Sequence, residues 1–253
     1  MVKPKKALGQ HFLTDENIAK KIVDSMQNTS GNLIEIGPGK GVLSKYIMEN
    51  KSLNTYYLDM DTESIEYFHD LYPEFKEKII ETDFLKHNLK DLFKEEKFNI
   101  IGNFPYNISS QIFFKVLDYR NQIDEVIGMI QKEVAERIAE GPGSKTYGIL
   151  SVLLQAYFSI EYLFTVKEGV FFPPPKVKSA VIRLKRNDVE RLDCNEKLFF
   201  QIVKAGFNQR RKTLRNSLKT FELELNDKVS ELLAKRAEQS NIQDFVTLTN
   251  AVK

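Results

Sequence analysis

Asn103, Pro105 and Tyr106 stand within four residues of one another in Gly102-Asn103-Phe104-Pro105-Tyr106-Asn107. A carboxamide beside an aromatic face is equipment for grasping a flat ring that bears an amine. An exocyclic base amine is a poor nucleophile because its lone pair is delocalised into the ring. If the Asn103 side-chain oxygen and the Phe104 backbone carbonyl accept its two hydrogens, a more tetrahedral nitrogen is favoured, and in-line group transfer becomes a matter of positioning. Pro105 restricts the backbone between amide and ring. Tyr106 can stack on the target, and Phe171 and Phe172, ahead of Pro173-Pro174-Pro175, can supply an opposing wall. Asn and Pro are also ordinary turn residues, and each phenylalanine also suits core packing.

A second cluster lies upstream. Glu35-Ile36-Gly37-Pro38-Gly39-Lys40-Gly41 joins a strand ending to closely spaced glycines and a helix start. Glycine permits close backbone approach and positive φ, and the helix start offers unpaired N–H donors. The third glycine of the dinucleotide fingerprint would fall one residue later, which argues against a pyrophosphate cofactor. Asp59 and Asp61 follow about 20 residues on, where a carboxylate accepts from ribose hydroxyls. Asp83, after the next strand, is placed to accept from an adenine amine. The combination suits an adenosine cofactor without pyrophosphate, and S-adenosylmethionine fits. Such a cofactor carries its own reactive methyl group, so neither a covalent enzyme intermediate nor a metal is required. Glu35 either orients the cofactor's methionine portion or only fixes the turn.

These residues need a scaffold of alternating strands and helices. Strand patterns at 32–36, 53–58, 78–82, 98–101 and 125–130 alternate with helical patterns at 18–26, 42–47, 63–71, 108–117 and 132–140, implying a mainly parallel sheet covered on both faces. After a loop at Gly141 to Lys145, a buried helix (149–158) and two strands (162–166 and 179–184) suggest a terminal hairpin added to that sheet. From about Asp188 only helical periodicity remains. The expected domains are 1–187, an amino-terminal arm with the catalytic sheet, and 188–253, a small helical unit.

The totals exclude several classes. The 253 residues carry 37 basic and 35 acidic side chains, so the net charge of +2 says little about partners. Distribution says more: Lys3, Lys5 and Lys6 open the chain, and Lys204, Arg210, Arg211, Lys212, Arg215 and Lys219 occur with no intervening acid. Cys194 is the one cysteine and the three histidines are scattered, so no metal site is expected. No secretory signal or 18-residue apolar span is legible, which leads to the expectation of a cytoplasmic protein without a membrane partner.

Five ordered blocks carry a family resemblance: KKALGQHFLTD (5–15), EIGPGKG (35–41), NFPYNIS (103–109), FFPPPKVKSAV (171–181) and FNQRRKTLRNSLK (207–219). Together they span nearly the whole chain, which resembles the ribosomal RNA adenine N6,N6-dimethyltransferases, in particular those of the bacterial small subunit. The resemblance implies a Rossmann-like α/β fold of the class I S-adenosylmethionine-dependent methyltransferases with a C-terminal helical domain. It implies that Gln10, His11, Phe12 and Leu13 close part of the cofactor pocket, that Gly37, Gly39 and Gly41 form the cofactor turn, that Asp59 binds ribose, and that Asp83 approaches the adenine amine. It further implies that Asn103 handles the target amine while Tyr106 and Phe171 flank the base. The implied substrate is 16S rRNA in an immature 30S particle, dimethylated on two adjacent adenosines of its 3'-terminal hairpin by a monomeric enzyme. The implied RNA contacts are Lys3, Lys5, Lys6, Arg210, Arg211, Lys212, Arg215 and Lys219. Members usually have leucine where this chain has Phe104, so altered packing is expected there.

Three rivals use similar residues: a 23S rRNA adenine methyltransferase that confers antibiotic resistance, a noncatalytic RNA-binding assembly factor, and a DNA adenine methyltransferase. The FNQRRKTLRNSLK block and the GQHFL form of the arm favour the small-subunit enzyme.

Overall fold

The computed structural model describes residues 2–209 and 211–253. A 3-10 turn at Lys6–Leu8 precedes β1 (Phe12–Leu13) and α1 (Glu16–Asp24). The helix begins where Asp15 accepts from the backbone N–H groups of Asn17 at 2.9 Å and Ile18 at 3.0 Å, satisfying two otherwise orphaned donors. Strands and helices then alternate as β2 (Gly31–Ile36), α2 (Ser44–Glu49), β3 (Leu53–Asp59), α3 (Thr62–Leu71), β4 (Ile79–Glu81), α4 (Lys90–Phe93), β5 (Phe98–Asn103), α5 (Ser109–Asp118), β6 (Ile123–Gln131) and α6 (Lys132–Ala139). Next come α7 (Ile149–Gln155), β7 (Phe158–Val166), β8 (Phe171–Phe172) and β9 (Ser179–Arg186). The remaining elements are helical: α8 (Glu196–Asn208), α9 (Leu214–Ser217), α10 (Asp227–Ala234) and α11 (Ile242–Asn250).

Among the described residues the main sheet has the order β4-β3-β2-β5-β6-β9-β7. Strands β2 to β6 pair in parallel, and β9 pairs antiparallel with β6. Leu33, Ile34 and Ile36 of β2 and Phe98, Ile100 and Ile101 of β5 are all buried. Burial of successive strand residues, which point to opposite faces, is what a parallel sheet covered on both faces demands. The chain winds from β2 toward β3 and β4 on one side, while β5 and β6 lie on the other. Winding therefore reverses between β2 and β5, and open sheets bind ligands beyond the carboxyl ends of the strands at such a point. Gly37 follows β2 and Asn103 ends β5, so this topology aims both sequence clusters at one crevice.

One pairing escaped the sequence reading. β1, in the arm, pairs antiparallel with β8, with Phe12 opposite Phe172 and Leu13 opposite Phe171. Two-residue strands are too short to leave a periodic signal.

The chain divides into two compact units, Met1–Ala135 with Glu161–Arg186, and Glu136–Ile160 with Asn187–Lys253. The 136–160 segment, assigned by sequence to the catalytic part, thus groups with the helical unit. Within that unit the Gly143 N–H donates to the Glu238 carbonyl at 2.7 Å, and the Tyr147 ring meets Phe207 edge-on at 6.1 Å. Among the described residues no helix is long and apolar enough to cross a membrane.

Candidate active site

At the glycine turn, Gly37, Gly39 and Gly41 have φ of 66°, 53° and 76°, which a side chain at these positions would resist. The Gly37 N–H donates to the Leu58 carbonyl at 2.8 Å, tying the turn to the end of β3. Gly39 N–H points at Asp59 Oδ2, 3.3 Å away, while Asp59 Oδ1 accepts from the Asp61 N–H at 3.0 Å. Burial pushes the Asp59 carboxyl up to about 6, against the pull of these backbone donors.

Asp61 departs from the paired-carboxylate reading. It is buried, and its carboxylate accepts from Gln10 Nε2 at 3.0 Å, from Ser64 Oγ at 3.0 Å and from the Lys5 ammonium. Burial raises its carboxyl, but the hydrogen bonds from Gln10, Lys5 and Ser64 prevail and hold it below the ordinary value. Two of its three side-chain partners thus come from the arm, and of this pair it is Asp59 that lines the cavity.

That cavity measures about 320 Å³ and is lined by the arm from Ala7 to Phe12, by Gly37, Gly39, Asp59 and Asp83, and by Asn103 to Ile108. Its size is at the low end of small-molecule sites, enough for a nucleoside-sized ligand. Asp83 lies at its edge, with Oδ1 accepting from the Leu85 N–H at 2.9 Å. Met60, Leu85, Asn107 and Gln111 also line it and were missed by sequence reasoning. Met60 and Leu85 lie directly after Asp59 and two residues after Asp83, so their positions just beyond strand ends were the signal that could have found them. A smaller void of about 30 Å³ adjoins Glu35, Phe12, Leu13 and Asn103. Glu35 is buried there, accepts from Ser44 Oγ at 2.6 Å, and has its carboxyl pushed up to about 8 by burial. Gly41 lines neither space; its N–H closes the turn on the Pro38 carbonyl at 2.8 Å.

Asn103 Nδ2 donates to the His11 carbonyl at 2.9 Å. Its Oδ1 is thereby kept as an acceptor. The Phe104 N–H donates to the Met129 carbonyl at 3.0 Å, holding the backbone as it enters Pro105. Tyr106 is fixed at two points: its hydroxyl meets Ser179 Oγ at 2.5 Å, and its ring stacks on His11 at 5.3 Å. His11 Nδ1 faces the Pro173 carbonyl at 2.7 Å, which requires the proton on Nδ1.

The structure does not bring Phe171 to this cavity. Paired with Leu13 and 4% exposed, it packs into the core with Ile101, Met129 and Val181. Its neighbour Phe172 is 58% exposed, because alternate residues of a strand face opposite ways. Of the basic residues, Lys3, Lys5, Lys6, Arg211, Lys212, Arg215 and Lys219 are exposed, and Arg210 lies outside the described residues. Leu214 and Leu218 are buried on the opposite side of α9, so the segment serves core and surface together.

The donors and acceptors suit S-adenosylmethionine: a carboxylate at the end of β3, a glycine turn, and a second carboxylate after β4. The family described as ribosomal RNA adenine dimethylase matches residues 1–253. The chain is 58% identical over 251 residues to the ribosomal RNA small subunit methyltransferase A of Cytophaga hutchinsonii, covering 98% of this chain and 97% of the relative. It is 56% identical over 255 residues to the protein of the same name from Flavobacterium johnsoniae, covering 100% and 97%. Among solved structures, a dimethyladenosine transferase from Plasmodium falciparum matches with a TM-score of 0.78 at 23% identity, over 94% of this chain and 96% of that one. The 23S rRNA methyltransferase ErmE matches with 0.70 at 21% identity, over 94% and 99%. At these identities the structural likeness establishes the fold, a class I methyltransferase sheet with a C-terminal helical part.

Proposed function

Because the chain belongs to the ribosomal RNA adenine dimethylase family, we propose that it dimethylates N6 of two adjacent adenosines in the 3'-terminal hairpin of 16S rRNA during 30S maturation. The observation that carries this choice is the 58% identity over 98% of the chain to a small-subunit methyltransferase. Likeness of fold to a 23S rRNA methyltransferase does not compete, since it comes with 21% identity.

S-adenosylmethionine supplies the sulfonium methyl group. Gly37, Gly39 and Asp59 hold its nucleoside with the arm residues Gln10 to Phe12, and Asp83 accepts from its adenine amine. Asn103 Oδ1 and the Phe104 carbonyl accept the hydrogens of the target amine, which frees its lone pair for in-line attack. Tyr106, anchored by Ser179, stacks on the base. Exposed Lys3, Lys6, Arg211, Lys212, Arg215 and Lys219 contact RNA phosphates, with residues 188–253 as the main RNA-binding part. The enzyme acts as a monomer in the cytoplasm.

The test is methyl transfer to undermodified 30S particles and, separately, to free 23S RNA, mapped by nucleotide. Two neighbouring dimethyladenosines in 16S rRNA are expected. Labelling confined to 23S RNA, or none, overturns the proposal.

A further inference from the structure

Asp61 is the convergence point of the arm. Its side chain has no exposed surface, and a buried carboxylate is tolerable only when it is paired and hydrogen-bonded. Two of its partners, Lys5 and Gln10, come from the arm, and the third, Ser64, from α3. Lys5 Nζ also lies 3.7 Å from Glu63 Oε2, and the Lys3 N–H donates to Glu63 Oε1 at 3.3 Å. The Lys5 backbone N–H donates to Gln10 Oε1 at 2.8 Å, so the two clasping residues are bound to each other as well. Between them Ala7, Leu8 and Gly9 form the roof, and with Gln10 they line the cavity. The same Asp61 presents its backbone N–H to Asp59 Oδ1 at 3.0 Å. One residue therefore joins the roof of the site to the carboxylate at its floor.

We infer that Lys5, Gln10 and Asp61 form a clasp that fastens the amino-terminal arm over the cofactor cavity, so that Asp61 is a positioning residue that retains the cofactor without touching it. The inference rests on the cavity being the S-adenosylmethionine site. It also gives Lys5 a duty different from phosphate contact, because its ammonium is committed to a carboxylate of the same chain. Opening the clasp leaves a buried charge short of a partner, so the closed arm is the favoured state, and the cofactor leaves at the rate at which the arm lifts.

The test uses the full chain and S-adenosylhomocysteine as the probe, with calorimetry for affinity and stopped flow for release. Lys5→Met and Asp61→Asn are each expected to weaken binding on the order of tenfold, chiefly through faster release. The double variant should be no weaker than the poorer single one, since both break the same contact. Lys5→Arg should restore most of the affinity. In the ligand-free protein, trypsin should cut after Lys6 faster in Asp61→Asn than in the parent, with thermal melting to confirm that the fold survives. Affinity for 16S rRNA should be unchanged in Lys5→Met. Additive effects, or weaker binding in Asp61→Asn alone, would mean that Asp61 acts directly on the ribose and would overturn the clasp, as would loss of RNA affinity without loss of cofactor affinity. If the unaltered protein itself fails to bind the probe, it is the cofactor reading that falls.

Discussion

Asn103 Nδ2 donates to the carbonyl oxygen of His11 at 2.9 Å. This contact decides which end of the amide is available, because a carbonyl partner can only be met by the NH2 group. The arm thus orients a side chain that β5 carries, and Oδ1 is left to accept from the target amine. Asn103→Ala should lower single-turnover methyl transfer about 100-fold to 1,000-fold, the usual cost of removing one preorganised polar group at a reacting centre. RNA affinity by filter binding should stay within about threefold. An unchanged rate would remove Asn103 from the chemistry.

The Phe104 ring is fully buried and lies between two glycines. A Cβ at Gly128 would stand 2.7 Å from its Cε2, whereas one at Gly102 would stand 2.6 Å from the Ile36 carbonyl oxygen and 3.0 Å from Phe104 Cε1. Gly128→Ala should therefore destabilise the protein by about 1–3 kcal/mol through overpacking. Adding Phe104→Leu should recover most of that loss, but should not rescue Gly102→Ala, where the obstruction is backbone. Denaturant titration of the four variants measures the coupling; equal rescue at both glycines would contradict this packing.

The sheet and the ligand edge of the site were legible because each depends on a local signal. Short strand runs that end in or lead into Gly37, Asp59, Asp83 and Asn103 placed all four at carboxyl strand ends, and parallel pairing did the rest. Three features lay beyond reach. The β1–β8 pairing joins Leu13 to Phe171 across a long stretch of chain through strands two residues long, and it is this pairing that buries Phe171 and leaves Phe172 outside. Asp61 looked equivalent to Asp59 by spacing; only the fold of the arm separates them. The helical stretches of segment 136–160 carry the same periodicity as the helices flanking the sheet, and the segment's membership of the helical unit follows from contacts such as Tyr147 with Phe207.

Lys115 of α5 is buried and donates to the backbone carbonyls of Phe84, at 2.6 Å, and His87. It pins the turn that carries Asp83 and Leu85 to the cavity. Lys115→Met keeps the apolar stem but leaves two carbonyls unpaired, a loss of about 1–3 kcal/mol. Amides of residues 83–88 should exchange faster with solvent, and the KM for S-adenosylmethionine should rise several-fold more than kcat falls. Unaltered exchange in that turn would show that the ammonium does not hold it.

Two buried carboxyls make stability and cofactor affinity respond oppositely to pH. Burial pushes Glu35 from 4.5 up to about 8 and Asp59 from 3.8 up to about 6. Between each ordinary value and its folded value, the folded chain holds a proton that the unfolded chain has released, so stability falls as pH rises. The Glu35 contribution is complete below pH 4.5 and is lost by about pH 8, and that of Asp59 is lost by about pH 6. Glu35→Gln has no charge to bury, so its advantage over the parent in unfolding free energy should grow from pH 5 to 8 and then level off, reaching on the order of a few kcal/mol. Cofactor affinity should run the other way. Asp59 accepts hydrogen bonds best when ionised, so binding of S-adenosylhomocysteine should weaken as pH falls below about 6, and Asp59→Asn should bind weakly with no such dependence. Melting curves and calorimetry across this range separate the two effects. A parent protein whose stability relative to Glu35→Gln stays level from pH 5 to 8 would show that Glu35 is ionised in the fold, held by the Ser44 hydroxyl against the cost of its burial.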